Sequence, residues 1–332
     1  MNRLQATIIS IILSTVFSYA LLYSTLELPI LLNELLREVT PHYGIGGIEE
    51  AEQFVDSVRP LGYLCLATVV LLIILGFILK KHKLSVLGSL TLLLPTFSYF
   101  ASVMFFLAGI GILRIIWLPF IEFSPGSSIY EKVNSASSLL ELGDIVYLPY
   151  DALRFLLNSL GGGYFLNLDE ILFSTIIIVS SIIFFISCAT WFYFRFQNLG
   201  FAKSLVYKYS RHPQYFSFLL WSYGLLIYDK YVFLPPRGGY FAPPPFFWNV
   251  FAFLLVGVAL SEEKKMLERY GEEYEKYCST TPFIMPLSKT IGRIVTLPVK
   301  LLFKKTYPEK TSEIILTLAM YFIIILLISV LY

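Results

Sequence analysis

Residues 171–194 read ILFSTIIIVSSIIFFISCATWFYF, twenty-four consecutive positions without a charged side chain. A helix needs about 20 predominantly apolar residues to cross the hydrocarbon core of a bilayer. This run satisfies that length and shows none of the strict alternation that a lipid-facing β-strand requires. Working outward, the reading gives seven apolar segments: about 5–26, 61–79, 84–106, 171–194, 215–232, 243–261 and 312–332. The expected fold class is therefore an all-α polytopic membrane protein with about seven transmembrane helices. The whole chain of 332 residues agrees, being 57% hydrophobic and only 14% charged, against roughly 25% for soluble domains.

Composition also narrows function. A formal net charge of +2 gives no electrostatic footprint for nucleic acid. Cys65, Cys188 and Cys278 are too scattered for a metal spacing or a disulfide framework, and His42, His82 and His212 do not make a multi-histidine site. No metal is expected.

Loop charge orients the chain. Residues 27–60 hold two basic and seven acidic side chains, and 107–170 hold three and seven. By contrast, 195–215 hold four basic residues and no acid, and 262–310 hold ten basic and seven acidic. The alternation places the N-terminus in the cytoplasm and, over seven spans, the C-terminus outside. Residues 141–159 mix apolar and charged positions at helical spacing, which suits a helix at the outer interface. Residues 291–305 are basic and apolar, so Lys304 and Lys305 could meet anionic lipid or simply snorkel from a linker.

Polar chemistry concentrates at two places. The first is Tyr207-Lys208-Tyr209-Ser210-Arg211-His212-Pro213-Gln214-Tyr215; the second runs from Ser261-Glu262-Glu263 through Tyr270-Gly271 and Tyr274 to Tyr277. If the intervening apolar segments form a hairpin, Arg211 and His212 return beside Glu262 and Glu263. Pro213 suits the first turn of a helix, which holds His212 just before unpaired N–H groups and the positive end of the helix dipole. Arg211 offers a planar fork for a carboxylate, and a glutamate is left for an ammonium or sugar hydroxyls. Each of these residues alone is more often structural: the basic ones set topology, and the tyrosines pack a helix.

The joint pattern is more specific. Arg211-His212-Pro213-x-Tyr215, an apolar hairpin, then Glu262-Glu263-x-x-Met266-x-x-x-Tyr270-Gly271-x-x-Tyr274-x-x-Tyr277 and the prolines at 282 and 286 resemble the catalytic half of the isoprenylcysteine carboxyl methyltransferase family. Phospholipid N-methyltransferases share a related core. The resemblance covers about 195–288. Residues 1–165 form an unassigned N-terminal transmembrane region, 166–289 the methyltransferase-like core, and 290–332 an interfacial segment with a final helix.

The resemblance implies an S-adenosylmethionine-dependent methyltransferase. Arg211, His212 and Glu263 would be its catalytic residues; Tyr207, Arg211, His212, Tyr215, Glu262, Glu263 and Tyr274 would bind the cofactor. The methyl acceptor would be lipidic or prenylated, a carboxylate or an amine, arriving laterally from the bilayer at a site on the cytoplasmic side. Two departures stand out: a glycine usual in the family two places before Tyr207 is Leu205 here, and Met266 replaces a usual leucine. An NADPH-dependent membrane reductase of the sterol reductase type is the enzymatic alternative, echoed by Tyr277-Cys278. A non-catalytic lipid-binding protein is the other.

Overall fold

Long runs of Leu, Ile and Phe propagate helix well when proline and glycine are kept to their ends. The computed structural model describes residues 1–39, 125–127, 131, 135, 142–161, 167–233, 245–287, 289–305, 307–308 and 310–331. Every regular element among them is helical. In chain order these are α1 (Arg3–Val39), a 3-10 turn (Asp144–Tyr147), α2 (Leu148–Gly161), α3 (Leu168–Phe196) and a second 3-10 turn (Leu205–Lys208). Then come α4 (Pro213–Ile227), continued by a π-helical turn (Tyr228–Phe233), α5 (Pro245–Tyr270), α6 (Glu272–Thr280), α7 (Lys289–Phe303) and α8 (Thr311–Leu331).

The expectation of about seven spans is overturned. Among the described residues, three helices are long and apolar enough to cross a membrane: Arg3–Tyr23 within α1, α3 and α8. They mark a membrane-associated protein. The expected segments 61–79 and 84–106 lie outside the described residues. The fifth segment, 215–232, is not one α-helical span: α4 has 15 residues and gives way at Tyr228 to a π-helical turn whose sequence includes Asp229 and Lys230. The sixth, 243–261, becomes part of a 26-residue helix, α5, whose second half carries Glu262, Glu263, Lys264, Lys265, Glu268 and Arg269. It is not among the three helices of the described residues that are long and apolar enough to cross.

Helix α3 begins three residues before the expected segment and ends two after it. Asp169 and Glu170 fill its first turn and Arg195 its last, the arrangement that the helix dipole favours.

The chain divides into two compact units. One comprises Met1–Ser14, Ile178–Trp221 and Asn249–Tyr332; the other comprises Thr15–Ile177 and Ser222–Trp248. In the first, α5 and α8 approach closely at Gly257, where a Cβ would lie 2.8 Å from Leu318 Cδ1. Phe253 meets Phe322 edge-on nearby, with ring centroids 5.7 Å apart. In the second, α2 is anchored by its polar residues. Arg154 pairs with Asp169 at 2.9 Å, the Tyr150 hydroxyl donates to Asp169, and the Tyr231 hydroxyl donates to Asp151 at 2.7 Å. Leu153, Phe155, Leu156 and Leu160 of α2 are exposed, so the helical part of the stretch 141–159 is α2, preceded by a 3-10 turn, with an exposed apolar side.

Candidate functional site: a buried arginine–glutamate–histidine network

The site lies within the first unit and starts from the 3-10 turn at Leu205–Lys208. Leu205 sits at φ 52° and is exposed. This left-handed backbone costs an L-residue roughly 1–2 kcal/mol, and it falls at the place where the family resemblance has glycine. Leu205→Gly is expected to raise stability by about 1 kcal/mol or somewhat less, since glycine also gains unfolded-state freedom. A higher thermal midpoint of the purified variant would show it.

Beyond the turn, the backbone amides of Arg211 and His212 donate to the carbonyls of Pro282 and Phe283 at 2.9 and 3.2 Å. This pairing fixes the segment before Pro213, the first residue of α4. Glu262 and Glu263 are neighbours on α5, and adjacent helical positions point about 100° apart. They therefore meet different surroundings: the Glu263 side chain is 10% exposed and that of Glu262 28%. Gly271, at φ 52°, separates α5 from α6, and the turn it permits brings Tyr274 back onto Glu263.

Glu263 is the hub. Its Oε1 lies 2.8 Å from His212 Nε2 and accepts the Tyr274 hydroxyl at 2.7 Å. Its Oε2 is 3.0 Å from Arg211 Nη2 and accepts the Cys278 thiol at 3.5 Å. Arg211 Nη1 donates to the carbonyls of Cys278 and Thr281 at 2.8 and 3.1 Å. The guanidinium also lies 5.6 Å from the Phe283 ring and 5.2 Å from the Tyr307 ring, a cation–π setting strengthened by desolvation. Arg211 Nε is buried and has no hydrogen-bond partner among the described residues. Glu262 forms the outer edge: its Oε1 accepts the Tyr215 hydroxyl at 3.0 Å, and its Oε2 stands 3.7 Å from His212 Nδ1. His212 stacks on Tyr215 and meets Phe283 edge-on.

The two glutamates differ electrically. Burial pushes the Glu262 carboxyl above its ordinary pKa, outweighing His212 and Tyr215. Burial acts on Glu263 in the same sense, but the His212 hydrogen bond and the Arg211 charge reverse it and hold its pKa below the ordinary value. Burial would lower the Arg211 pKa, and the Glu263 carboxylate more than offsets this. Burial and the Glu263 charge raise the Cys278 thiol to about 12, so it is a protonated donor. Burial and the adjoining glutamates likewise keep Tyr215 and Tyr274 as phenols.

A pH profile separates the two carboxyls. The depressed pKa of Glu263 contributes stability that is present above the unfolded carboxylate pKa and lost as pH falls through its lower folded value. The raised pKa of Glu262 works oppositely, so folding gains as pH falls through that higher value. On acidification from neutrality the melting temperature should first hold or rise, then fall as Glu263 is protonated. Glu262→Gln should flatten the first limb and leave the acid fall in place.

The structure thus brings together Arg211, His212, Tyr215, Glu262, Glu263 and Tyr274. Tyr207 lies at the margin: its hydroxyl donates to the Ser187 carbonyl at 3.4 Å, and its own carbonyl accepts the Tyr277 hydroxyl. The Arg211 side chain is wholly enclosed, tied to protein groups rather than open as a fork. Thr281, Phe283, Tyr307 and the Cys278 thiol enter the site without a motif of their own in the sequence. Pro282, which closes the pattern, is the one sequence feature that points to the carbonyl-bearing segment.

A family described as "Protein of unknown function (DUF1295)" matches residues 165–281. The match covers α3 to the end of α6 and holds the network except Pro282, Phe283 and Tyr307. No curated protein and no solved structure matches the chain.

Proposed function

We propose that the chain is an integral membrane methyltransferase that uses S-adenosylmethionine and acts on a lipidic or prenylated acceptor. The observation that carries this reading is the convergence of Arg211-His212 with Glu262-Glu263, the two elements that the resemblance to isoprenylcysteine carboxyl methyltransferases assigns to the cofactor. The residues present fit such a group through Glu262, the more exposed carboxyl, which suits an ammonium or ribose hydroxyls. Arg211, wholly enclosed, acts on the site by holding Glu263.

The cofactor supplies an electrophilic methyl group, and the protein's task is alignment in dry surroundings more than strong acid–base work. Arg211 and Tyr274 hold Glu263, which in turn fixes His212 through Nε2. Tyr215 orients Glu262 through Oε1. A carboxylate acceptor needs no deprotonation at neutral pH. An amine acceptor would pass its proton to Glu262, whose raised pKa suits it for that transfer. An acyl or prenyl tail buried between helices would contribute roughly 0.8 kcal/mol per CH₂. The basic character of 195–215 and 262–310 supports a site on the cytoplasmic side.

The test is calorimetric titration of S-adenosylmethionine into detergent-purified protein and its Glu262→Gln variant. Saturable binding by the parent is expected, weakened at least about tenfold in the variant (about 1.4 kcal/mol) with no loss of thermal stability. Labelled cofactor with membrane lipid extracts then identifies the acceptor. Absence of binding to a folded sample would overturn the proposal. Binding of NADPH instead would make the protein a reductase, and binding of lipid alone would make it non-catalytic.

A further inference from the structure

Helix α7 has a composition that the network does not use. Residues 289–308 contain no aspartate or glutamate. Arg293 and Lys300, seven positions apart, share one stripe of the helix, and Lys304 follows directly after it; all three are exposed. A second face carries Ile294, Leu301 and Leu302, with Ile294 66% and Leu301 75% exposed. Among the described residues the third face packs on the protein itself: Val299 is buried, and the Val295 carbonyl accepts the Tyr321 hydroxyl of α8.

Two features set α7 apart from a membrane span. It has 15 residues with two charges well inside them, and Pro298 leaves the Ile294 carbonyl without its intrahelical partner. A carbonyl that lacks its i+4 donor, beside exposed apolar side chains, suits the interfacial zone, where water is present, better than the hydrocarbon core. The hydroxyl bond from Tyr321 ties this helix to α8, one of the three apolar helices. A second copy of the chain would bring an equally basic stripe against this one, whereas an anionic leaflet complements it.

We propose that α7 is a lipid-recognition element that lies in the plane of the membrane, with its apolar face in the acyl boundary and Arg293, Lys300 and Lys304 against anionic headgroups. It adjoins the functional site through a short piece of chain, since Tyr307, three residues after Lys304, carries the ring beneath the Arg211 guanidinium. The proposal does not depend on methyl transfer, and its test contains no cofactor.

The full-length protein carrying Leu301→Trp is reconstituted into nanodiscs of phosphatidylcholine with phosphatidylglycerol, one lipid or the other bearing brominated chains. Ile294→Trp serves as a second probe position, and the parent's native tryptophan signal is subtracted. Expected is strong quenching at both positions, greater with brominated phosphatidylglycerol than with brominated phosphatidylcholine. The combined Arg293→Gln, Lys300→Gln and Lys304→Gln change should abolish that preference, on the order of fivefold per basic residue at low salt, while quenching itself persists. Equal quenching by the two lipids would overturn the recognition of anionic lipid. A probe that is unquenched in both discs would overturn the interfacial placement. Quenching that is lost as protomers per disc increase would assign the apolar face to a second copy.

Discussion

Glu263→Ala should cost about 3–5 kcal/mol of stability, the range for removing one partner from a buried charge pair. Four groups converge on this carboxylate: Arg211, His212, Tyr274 and the Cys278 thiol. Alanine leaves the enclosed guanidinium without a counter-charge and orphans the phenol and the imidazole N–H. Glu263→Gln keeps the shape and one acceptor oxygen but not the charge, so its loss should be smaller and still substantial. Thermal unfolding in a fixed detergent, beside Glu262→Gln as the more exposed neighbour, measures the difference. A Glu263→Ala midpoint equal to that of Glu262→Gln would show that Glu263 is not the hub of the network.

The second large effect lies on the other side of the pair. Arg211→Met retains an apolar stem of similar length but leaves the Cys278 and Thr281 carbonyls without their donor and Glu263 without its cation. A loss of about 3–4 kcal/mol is expected, comparable to that of the glutamate substitution. The informative measurement is the double variant Arg211→Met with Glu263→Gln. Because each single change strands a charge and the double change strands none, the combined loss should fall short of the sum by about 1–3 kcal/mol. Additive losses would mean that the two side chains contribute independently and that their 3.0 Å approach carries little energy.

What could be read in advance follows from what is local. The three apolar helices announce themselves through uninterrupted composition, because crossing hydrocarbon is a matter of length and apolarity within one segment. Pro213 marks the start of α4 for an equally local reason. The segments at 215–232 and 243–261 have similar apolar content but end differently in space. The first leaves the α-helix at Ile227 for a π-helical turn containing Asp229 and Lys230, and the second continues unbroken into charged helix. A hydropathy window cannot distinguish a helix that stops from one that goes on.

The network divides along the same line. Arg211-His212 and Glu262-Glu263 stand out as two polar clusters beside apolar runs, and their spacing suggests a hairpin that would unite them. The sequence does not reveal which glutamate is the hub, since consecutive helical residues differ only in the direction they face. Nor does it reveal that Arg211 is closed off. That depends on carbonyls 67 and 70 residues away and on the Tyr307 ring beyond α7. By itself the sequence determined which residue types were available and which segments were apolar enough to enter a membrane. Only the tertiary structure decided which charges were desolvated together, because desolvation is set by distant chain closing over a side chain, and that leaves no periodic trace along the polypeptide.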